Sequence, residues 1–220
     1  MNLVNIYPNY VKFNDDTIYY SIKEKLGITI DDDFLPMNKI LQIEELVLTG
    51  TNYEYFPDIK KLQNLKNLKI IGCQGISDLD YISELPNLQE LTMSYCDIFD
   101  ISFMKSLTQI RFLNLCNIGI SDISTLSKLK QLEKLNLQYN LIEDISSLQD
   151  LINLKELDLS GNINLENITP LTSMINLKLL MLYDISRHKN MYIKDLRRAI
   201  KEKGGNCNII GSYRGYLNRL

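Results

Sequence analysis

The stretch LEKLNLQYNLIEDISSLQDL, residues 132–151, carries two apolar spacings in succession. Leu135, Asn136 and Leu137 alternate between apolar and polar, which is the period-two pattern of a short β-strand. From Ile142 onward the apolar residues recur at every third position, and this spacing favours a 3₁₀-like or short helical return with one face inward. A single strand and return cannot bury its own apolar ridge, so the stretch predicts one unit of a stacked array.

The same template recurs at a nearly fixed interval along most of the chain. Its first apolar position steps by 22 or 23 residues through seven units, at Ile43, Leu65, Leu88, Ile110, Leu132, Leu154 and Leu177. Stacking such units places their strands side by side in one parallel sheet, at a spacing of about 4.8 Å. The interval therefore predicts an α/β solenoid over residues 43–185, with a curved parallel sheet on the concave face and 3₁₀ or short helical turns on the convex face.

Written as LxxLxLxxNxIxDIxxLxxLxx, the repeat resembles the 22-residue class of leucine-rich repeats found in bacterial internalins and in the phosphatase-regulating sds22 proteins. The resemblance covers residues 43–185 and implies a leucine-rich-repeat solenoid with a binding function. It leaves three hypotheses open: a protein-interaction module that binds a partner protein on the concave sheet, a regulatory or inhibitory subunit of an enzyme of the sds22 type, and a surface adhesin fragment of the internalin type.

One polar position of the template varies from unit to unit. The position that carries asparagine in this repeat class holds Thr51, Cys73, Cys96, Ile118, Asn140, Asn162 and Ile185. An asparagine side chain both donates and accepts hydrogen bonds, whereas an isoleucine side chain does neither. We therefore expect the asparagine ladder to be interrupted at Ile118 and Ile185, where water or an altered loop must satisfy the backbone.

Both ends of the array are expected to carry caps, because a terminal unit would otherwise expose the core. We predict an N-terminal helical cap over residues 1–42, in which Asn14 caps a helix that ends at Gly27. A C-terminal cap and tail over residues 186–220 completes a single continuous domain. Its predicted parts are a helix over about residues 191–203, a last strand over residues 207–210 and an exposed tail over residues 211–220.

Composition and charge narrow the classes of function. The formal net charge of −3 disfavours a nucleic-acid partner, and no apolar run is long enough to span a membrane. The N-terminus lacks the features of a secretory signal, so we expect a cytoplasmic protein, and we expect it to be a monomer. The four cysteines have no CxxC spacing and His188 is the only histidine, so we expect no metal and no other cofactor. Since nucleotide-binding and metalloprotease motifs are also missing, we expect no enzymatic activity.

A column of acids precedes the return turns of successive units. Its members are Asp78, Asp100, Asp122 and Asp144, with Asn167 in the equivalent place. Each precedes an inward apolar residue and a short helical turn, where an aspartate accepts hydrogen bonds from free backbone N–H groups. Because each loop offers only one acid of this column, we interpret the residues as caps, and a calcium site is the alternative.

The cysteines suggest different environments. Cys73 and Cys96 occupy equivalent positions on adjacent coils, so a disulfide requires only that their side chains point together. We expect buried thiols instead, as in a reducing compartment. Strand alternation places Cys116 on the solvent side of its strand, which predicts an accessible thiol.

The outward positions of the strands form the predicted binding surface. Rigid strands present side chains to a partner at a low entropic cost. Aromatic residues at the centre of a patch usually carry most of the binding energy, which singles out Phe112 with Tyr95 and Tyr139 beside it. The alternative is that these rings fill grooves between neighbouring strands. The predicted partner-binding residues are Tyr95, Phe112, Asn114, Lys134, Asn136, Gln138, Tyr139, Asp158, Met181 and Tyr183.

A second, basic surface is predicted on the C-terminal helix. Helical spacing places Lys194, Arg197, Arg198 and Lys201 on one outer face. A solvated face is the default interpretation of such a cluster, and the alternative is a binding site for an acidic partner, an anionic membrane or RNA.

Overall fold

The computed structural model describes residues 9–29, 34–50, 57–76, 78–185 and 193–213. In chain order, its helices and strands are β1 (Tyr10–Lys12), α1 (Asp16–Leu26), β2 (Phe34–Pro36), α2 (Met37–Ile40), β3 (Glu45–Thr49), β4 (Asn67–Ile71), β5 (Glu90–Ser94), β6 (Phe112–Asn114), β7 (Lys134–Asn136), β8 (Glu156–Asp158), β9 (Leu179–Ile185), α3 (Ile193–Glu202) and β10 (Asn208–Tyr213). Short 3₁₀ turns lie at Pro57–Lys61, Asp80–Glu84, Ser102–Ser106, Ser124–Lys128, Ser146–Leu148 and Thr169–Ser173. None of the described helices has the length and apolar character that a membrane crossing requires.

Strands β3 to β10 form one parallel sheet in which neighbouring strands are also neighbours in the sequence. The register repeats the interval of the template, since Leu135 pairs with Leu113 on one side and with Leu157 on the other. A shift of one residue would turn the leucines of a strand to the other face, so the apolar pattern sets this register. The predicted leucine-rich-repeat solenoid is confirmed.

The apolar positions of the template form one continuous core. In the unit that begins at Leu132, the side chains of Leu135, Leu137, Ile142 and Ile145 are at most 2% exposed. Burial of one such side chain stabilises the fold by about 1.5–3 kcal/mol. Each unit is covered by the next, so the stack provides the burial that one unit alone lacks.

Asn140 is the most extensively bonded member of the asparagine column, and its side chain is 2% exposed. Its Oδ1 accepts from the backbone N–H groups of Ile118, Gly119 and Ile120, at 3.2, 3.1 and 3.3 Å. Its Nδ2 donates to the carbonyl of Leu115 at 2.7 Å and to two carbonyls of its own turn. The side chain therefore ties one coil to the preceding one.

Other residues of the same column make fewer bonds. The thiol of Cys96 donates to the carbonyls of Ser94 and Ile70, at 3.3 and 3.5 Å. Ile118 is 1% exposed and has no polar side-chain atom. A backbone hydrogen bond takes the place of the side-chain bond here, since the N–H of Ile98 donates to the carbonyl of Ile118 at 3.3 Å. The ladder is thus interrupted at Ile118 as predicted, through an altered backbone contact. Thr51 lies outside the described residues.

A second column of amides links the coils at another level, and the sequence analysis did not identify it. Each side chain donates from its amide nitrogen to a backbone carbonyl 23 or 24 residues earlier, at 2.8 to 3.3 Å. The donors are Asn64, Asn87, Gln109, Asn153 and Asn176. These bonds satisfy carbonyls near the ends of α2 and of the 3₁₀ turns, where the last carbonyls of a helical turn have no acceptor role within it.

The N-terminal helix is capped differently from the prediction. α1 begins at Asp16, and the carboxylate of Asp15, not the side chain of Asn14, accepts from the N–H of Ile18 at 3.2 Å. The predicted cap is wrong because Asn14 lies one residue too early to reach the first free N–H groups. The backbone N–H groups of Asn14 and Asp15 instead donate to the buried carboxylate of Asp58, which also pairs with Lys61 at 2.5 Å. Asp58 thereby fastens the N-terminal segment to the repeats.

At the C-terminal end, α3 buries Leu196 and Ile200 and ends at two glycines. Gly204 has a φ of +86°, and the N–H of Gly205 donates to the carbonyl of Ile200 at 2.9 Å, an arrangement that closes a helix. β10 then pairs with β9 and continues to Tyr213. The prediction of an exposed tail is therefore wrong for residues 211–213, because their backbone extends the sheet. Residues 186–192 and 214–220 lie outside the described residues.

Candidate functional site: the concave sheet

An open groove of about 280 Å³ runs across the outward face of strands β5 to β9. It gathers six of the ten predicted partner-binding residues: Phe112, Asn114, Lys134, Asn136, Asp158 and Met181. The groove also takes in Glu90, Thr92 and Glu156, which the sequence analysis did not select although the same strand alternation places them outward. The other four predicted residues, Tyr95, Gln138, Tyr139 and Tyr183, do not line this groove.

Phe112 is at the first position of the central strand β6 and is half-buried. The guanidinium carbon of Arg111 and the ammonium nitrogen of Lys134 each lie 5.9 Å from the centre of its ring. A cation at this distance from an aromatic ring contributes about 0.5–1 kcal/mol at an exposed site. The ring is thus held between charged neighbours and still presents part of its surface to the groove.

Ion pairs order the charged side chains of this face. Lys134 pairs with Glu156 at 2.8 Å, and Lys69 pairs with Glu45 at 2.7 Å. The hydrogen bond from Lys69 holds the pKa of the Glu45 carboxyl below its usual value. Exposed pairs of this kind stabilise a fold by about 1 kcal/mol or less. Their main consequence here is that the two lysines are held by carboxylates, while the charged residues of the groove are three acids and one lysine.

The polar floor of the groove is built from side chains that close the strand ends. The Oδ1 atoms of Asn114, Asn136 and Asp158 accept from the backbone N–H two residues later, at 3.1, 2.9 and 2.9 Å. Such turns stop a strand and fix the side chain that makes them. Asp158 is only 3% exposed, and Gln138 donates from Nε2 to its carboxylate. Asp158 is therefore a covered part of the floor, with Gln138 above it.

Tyr95 and Tyr139 lie just beyond their strands, where the backbone is left-handed, with φ of 56° and 54°. Glycines occupy equivalent positions on other coils, as at Gly72 with φ of 66° and Gly161 with φ of 78°. A residue with a Cβ costs about 1–2 kcal/mol in this conformation. Both tyrosines are nevertheless more than half exposed, so burial does not offset that cost. Asn117 and Asp184 occupy equivalent positions with φ of 54° and 49°, so the left-handed backbone is a property of the repeat and the exposure of the two rings is what distinguishes the tyrosines.

The last predicted residues lie near the C-terminal end of the groove. The side chain of Tyr183 on β9 is 43% exposed, and that of Met181 is half-buried. The backbone N–H of Tyr183 donates to the hydroxyl of Ser160 at 3.0 Å, which fixes the position of the tyrosine. Apolar surface thus recurs on β9, separated from Phe112 by the polar outward residues of β7 and β8.

Cys116 is not accessible, and the prediction that its thiol faces solvent is wrong. The alternation itself continues, since Leu113 and Leu115 are both buried, but neighbouring side chains cover Cys116. Ser94, the equivalent residue of β5, is likewise only 5% exposed. The side chain of Cys116 is 6% exposed, with its sulfur 3.9 Å from the Oε1 of Gln138, and burial raises the pKa of the thiol. Cys73 and Cys96, which the sequence places on adjacent coils, are both buried and form no disulfide.

The column of acids caps the 3₁₀ turns, as the sequence predicted. The Oδ1 atoms of Asp78, Asp100, Asp122 and Asp144 accept from the backbone N–H two residues later, at 2.7 to 3.0 Å, and Asn167 accepts in the same way. Hydrogen bonds from Ser124 lower the pKa of the Asp122 carboxyl. Each of these carboxylates is thus engaged by its own turn.

On the C-terminal helix the four predicted basic residues do not act alike. Arg197 donates from Nη2 to the carbonyl of Ile209 on β10, at 2.9 Å. Arg198 lies 3.7 Å from the carboxylate of Asp195. Arg197 and Arg198 are therefore engaged by the cap itself. His188 lies outside the described residues.

Several exposed apolar residues were missed by the sequence analysis. Phe99, Leu141 and Ile163 are 75, 51 and 43% exposed in the turns that follow the strands. Their signal in the sequence is that each is a large apolar residue outside the inward positions of the template. A template analysis considers those inward positions first, and it treats the rest as loop.

Comparison with known proteins bears on the fold. A family model described as leucine-rich repeats (2 copies) matches residues 108–150 and 130–173. A search of curated proteins finds no match to the sequence. Three solved structures have similar folds over most of the chain.

The crystal structure of an internalin (inlF) from Listeria monocytogenes is similar with a TM-score of 0.76 and 25% identity, over 94% of this chain and 57% of that one. The internalin C2 from the same organism has a TM-score of 0.76 and 24% identity, over 96% of this chain and 90% of that one. A leucine-rich-repeat protein from Leptospira interrogans has a TM-score of 0.58 and 18% identity, over 80% and 50%. The chain therefore spans little more than half the length of the first of these proteins.

Proposed function

Since the chain is a leucine-rich-repeat protein of the internalin-like class, we propose that it is a non-enzymatic module that binds a partner protein across its concave sheet. Leucine-rich-repeat domains of this class are generally protein-interaction modules. The observation that carries the proposal for this chain is the groove over β5 to β9, which has the half-buried ring of Phe112 at its centre.

Three features of the groove suit a folded protein or a peptide. The half-buried ring of Phe112 inside the groove and the exposed rings of Tyr139 and Tyr183 outside its lining offer apolar contact area. Aromatic contact area of this kind usually dominates binding energy. The carboxylates and amides of the floor are already held by internal hydrogen bonds, so little side-chain freedom is lost when a partner binds. The opposite charges of the Lys134–Glu156 pair suit polar contacts at the rim.

The non-enzymatic part of the proposal rests on how the polar groups are used. The aspartates of the turns accept from backbone N–H groups, and Asp158 is covered by Gln138. A nucleophile with a base in hydrogen-bond reach would point to catalysis. The thiol of Cys116, buried against an amide oxygen, is not such an arrangement. We also propose that the protein is cytoplasmic. The four cysteines, which all lie in the described residues and form no disulfide, are compatible with a reducing compartment.

The experiment is affinity capture from a lysate with the intact chain, beside a Phe112→Glu, Tyr139→Glu variant and a matched control variant. Lys105→Glu and Lys128→Glu, both on the 3₁₀ turns and away from the groove, serve as the control. Circular dichroism verifies that all three chains fold. A protein captured by the intact chain and the control, but lost from the groove variant, is then purified and its affinity is measured by calorimetry.

Each outcome has a meaning. We expect the purified partner to bind the intact chain, and to protect backbone amides of β5 to β8 from hydrogen exchange. Equal affinity for the groove variant would refute the concave site. If the partner is an enzyme whose rate changes on binding, the regulatory alternative of the sds22 type replaces simple binding. An enzyme whose rate is unaffected leaves the binding module as the conclusion.

A further inference from the structure

The turns that follow the strands carry a row of apolar side chains beside the concave groove. Leu141 and Ile163 directly follow the ladder residues Asn140 and Asn162 on neighbouring coils. Their side chains are 51 and 43% exposed, because they point away from the core that the ladder closes. On the coil before them, the equivalent residue after Ile118 is Gly119, which has no side chain to continue the row.

Phe99 fills that place from the preceding coil. A Cβ atom built on Gly119 would lie 3.0 Å from Cε1 of the Phe99 ring, so the ring lies directly over the glycine. The ring is 75% exposed, the highest exposure of any large apolar residue in the described part of the chain. The ring of Phe99, Leu141 and Ile163 therefore form one row across three adjacent coils, about 10 Å long at the usual strand spacing. We name this row the loop ridge.

Acidic side chains surround the loop ridge. Residues 95–100, 117–122 and 139–144 contain five acids and no lysine, arginine or histidine. The five are Asp97, Asp100, Asp122, Glu143 and Asp144. Within the described ranges none of them has a cationic side chain at ion-pair distance, whereas Glu45 and Glu156 on the concave face both do. All the charged side chains of these three turns are therefore acidic.

We propose that the loop ridge is a docking surface for a cationic, amphipathic segment of a partner protein. An apolar row that is this exposed contributes nothing to the core, and exposed apolar patches mark interaction sites. The acids determine the occupant, because an acidic segment would be repelled and a neutral one would leave the carboxylates without a counter-charge. A basic side chain at the edge of such a segment can also lie over the exposed face of the Phe99 ring. The loop ridge is separate from the groove and does not depend on the function proposed for it.

The test uses the full chain and a fluorescein-labelled peptide in which arginine and leucine alternate. Two control peptides replace the arginines by glutamate or the leucines by serine. Fluorescence anisotropy gives the affinities at about 0.05 M and about 0.5 M salt, because screening weakens the attraction of exposed charges. We expect binding of the arginine–leucine peptide alone, with an affinity that falls at least about tenfold at the higher salt. Amide chemical shifts are expected to change in residues 95–100, 117–122 and 139–144, rather than in β6 and β7.

Paired variants separate the apolar and the charged contributions. Phe99→Ser with Leu141→Ser removes apolar contacts, and Asp97→Lys with Glu143→Lys reverses charges that cap no turn. We expect each pair to weaken binding at least about tenfold, since apolar contact and charge complementarity act together at such a surface. The matched control reverses two exposed acids elsewhere, through Glu24→Lys with Glu202→Lys, and is expected to change the affinity less than about twofold.

Three outcomes would overturn the proposal. An equal loss in the control pair would mean that the peptide responds only to net charge. Shifts centred on the concave strands would assign the binding to the groove. No measurable affinity at low salt for any of the three peptides would show that the loop ridge does not bind a cationic, amphipathic segment. Circular dichroism of every variant ensures that a loss of binding is not a loss of folding.

Discussion

Asn140→Ala tests whether the ladder residue holds the solenoid together through its backbone partners. The Oδ1 of Asn140 accepts from three backbone N–H groups, and two of these belong to the fully buried residues Ile118 and Ile120. Asn162, in the same column, is equally buried but accepts from one N–H group only, that of Ile142 at 3.2 Å. The same substitution at the two sites therefore removes the same side chain and leaves different numbers of backbone groups without partners.

The expected magnitude follows from those groups. A buried N–H that loses its partner costs about 1–3 kcal/mol. Asn140→Ala leaves two such groups and should lower the free energy of unfolding by about 2–6 kcal/mol, against about 1–3 kcal/mol for Asn162→Ala. The cavity left by the side chain is similar at both sites and largely cancels in the difference. Asn140→Cys introduces the residue type that Cys96 provides in the same column. A thiol restores a weak donor but not the strong acceptor of the amide, so the stability of Asn140→Cys should be close to that of Asn140→Ala.

Urea unfolding followed by circular dichroism gives the difference in stability, and hydrogen exchange locates it. With a dependence on urea of about 1–3 kcal/mol per molar, the midpoint for Asn140→Ala should lie about 1 M below that for Asn162→Ala. The amides of Ile118 and Ile120 should lose protection in Asn140→Ala, while that of Ile142 keeps it. Equal stabilities, or uniform loss of protection along the chain, would refute the assignment of the cost to these two groups.

Three further predictions concern the turns and the thiols. Both Gly161 and Gly72 have positive φ, but only at Gly161 would a new Cβ meet the ring of Tyr139. In thermal unfolding, Gly161→Ala should therefore destabilise the protein by about 1 kcal/mol more than Gly72→Ala. The excess should vanish in a Tyr139→Ala background; if it persists, the ring is not its cause. Burial raises the pKa of the Cys207 thiol to about 11, so the unfolded chain loses this proton first and stability should fall as pH rises from about 9 to about 11. Cys207→Ala should reduce that slope, and an unchanged slope would contradict the assignment. Asp144→Ala should lower the melting temperature while Asp144→Asn preserves it, because the side-chain oxygen caps a turn. Added calcium should leave the melting temperature of the native chain unchanged. A rise with calcium would restore the metal-site alternative.

The strands and the core were predictable because repetition provides many observations of one pattern. Leu46 and Leu135 stand at the same place of the template, and both are buried and paired in register as their spacing requires. An error at one unit would conflict with the others, since a shift of one residue would turn an entire strand outward. The same argument applies to the acid column, in which Asp100 and Asp144 cap their turns with nearly the same geometry.

The failures have a common physical cause, which is contact between residues distant in the sequence. Asp58 accepts from backbone groups 43 and 44 residues earlier, and no local pattern connects the two. Cys116 was expected to be accessible because alternation predicts the direction of a side chain and not what covers it. Its sulfur lies 3.9 Å from Oε1 of Gln138, which is 22 residues later on the next coil.

Function in such a solenoid is most visible where a residue departs from what its place in the template requires. A core leucine is explained by burial, and a glycine at a left-handed turn is explained by its backbone freedom. Tyr95 and Tyr139 have neither explanation, because they occupy left-handed positions and remain more than half exposed. Phe99 is likewise large, apolar and exposed, and it lies over a glycine of the next coil. All three residues belong to the turns that follow the strands, residues 95–100 and 139–144, which also carry the acids Asp97, Asp100, Glu143 and Asp144. Their size and exposure together are the ground on which we propose a binding role for them.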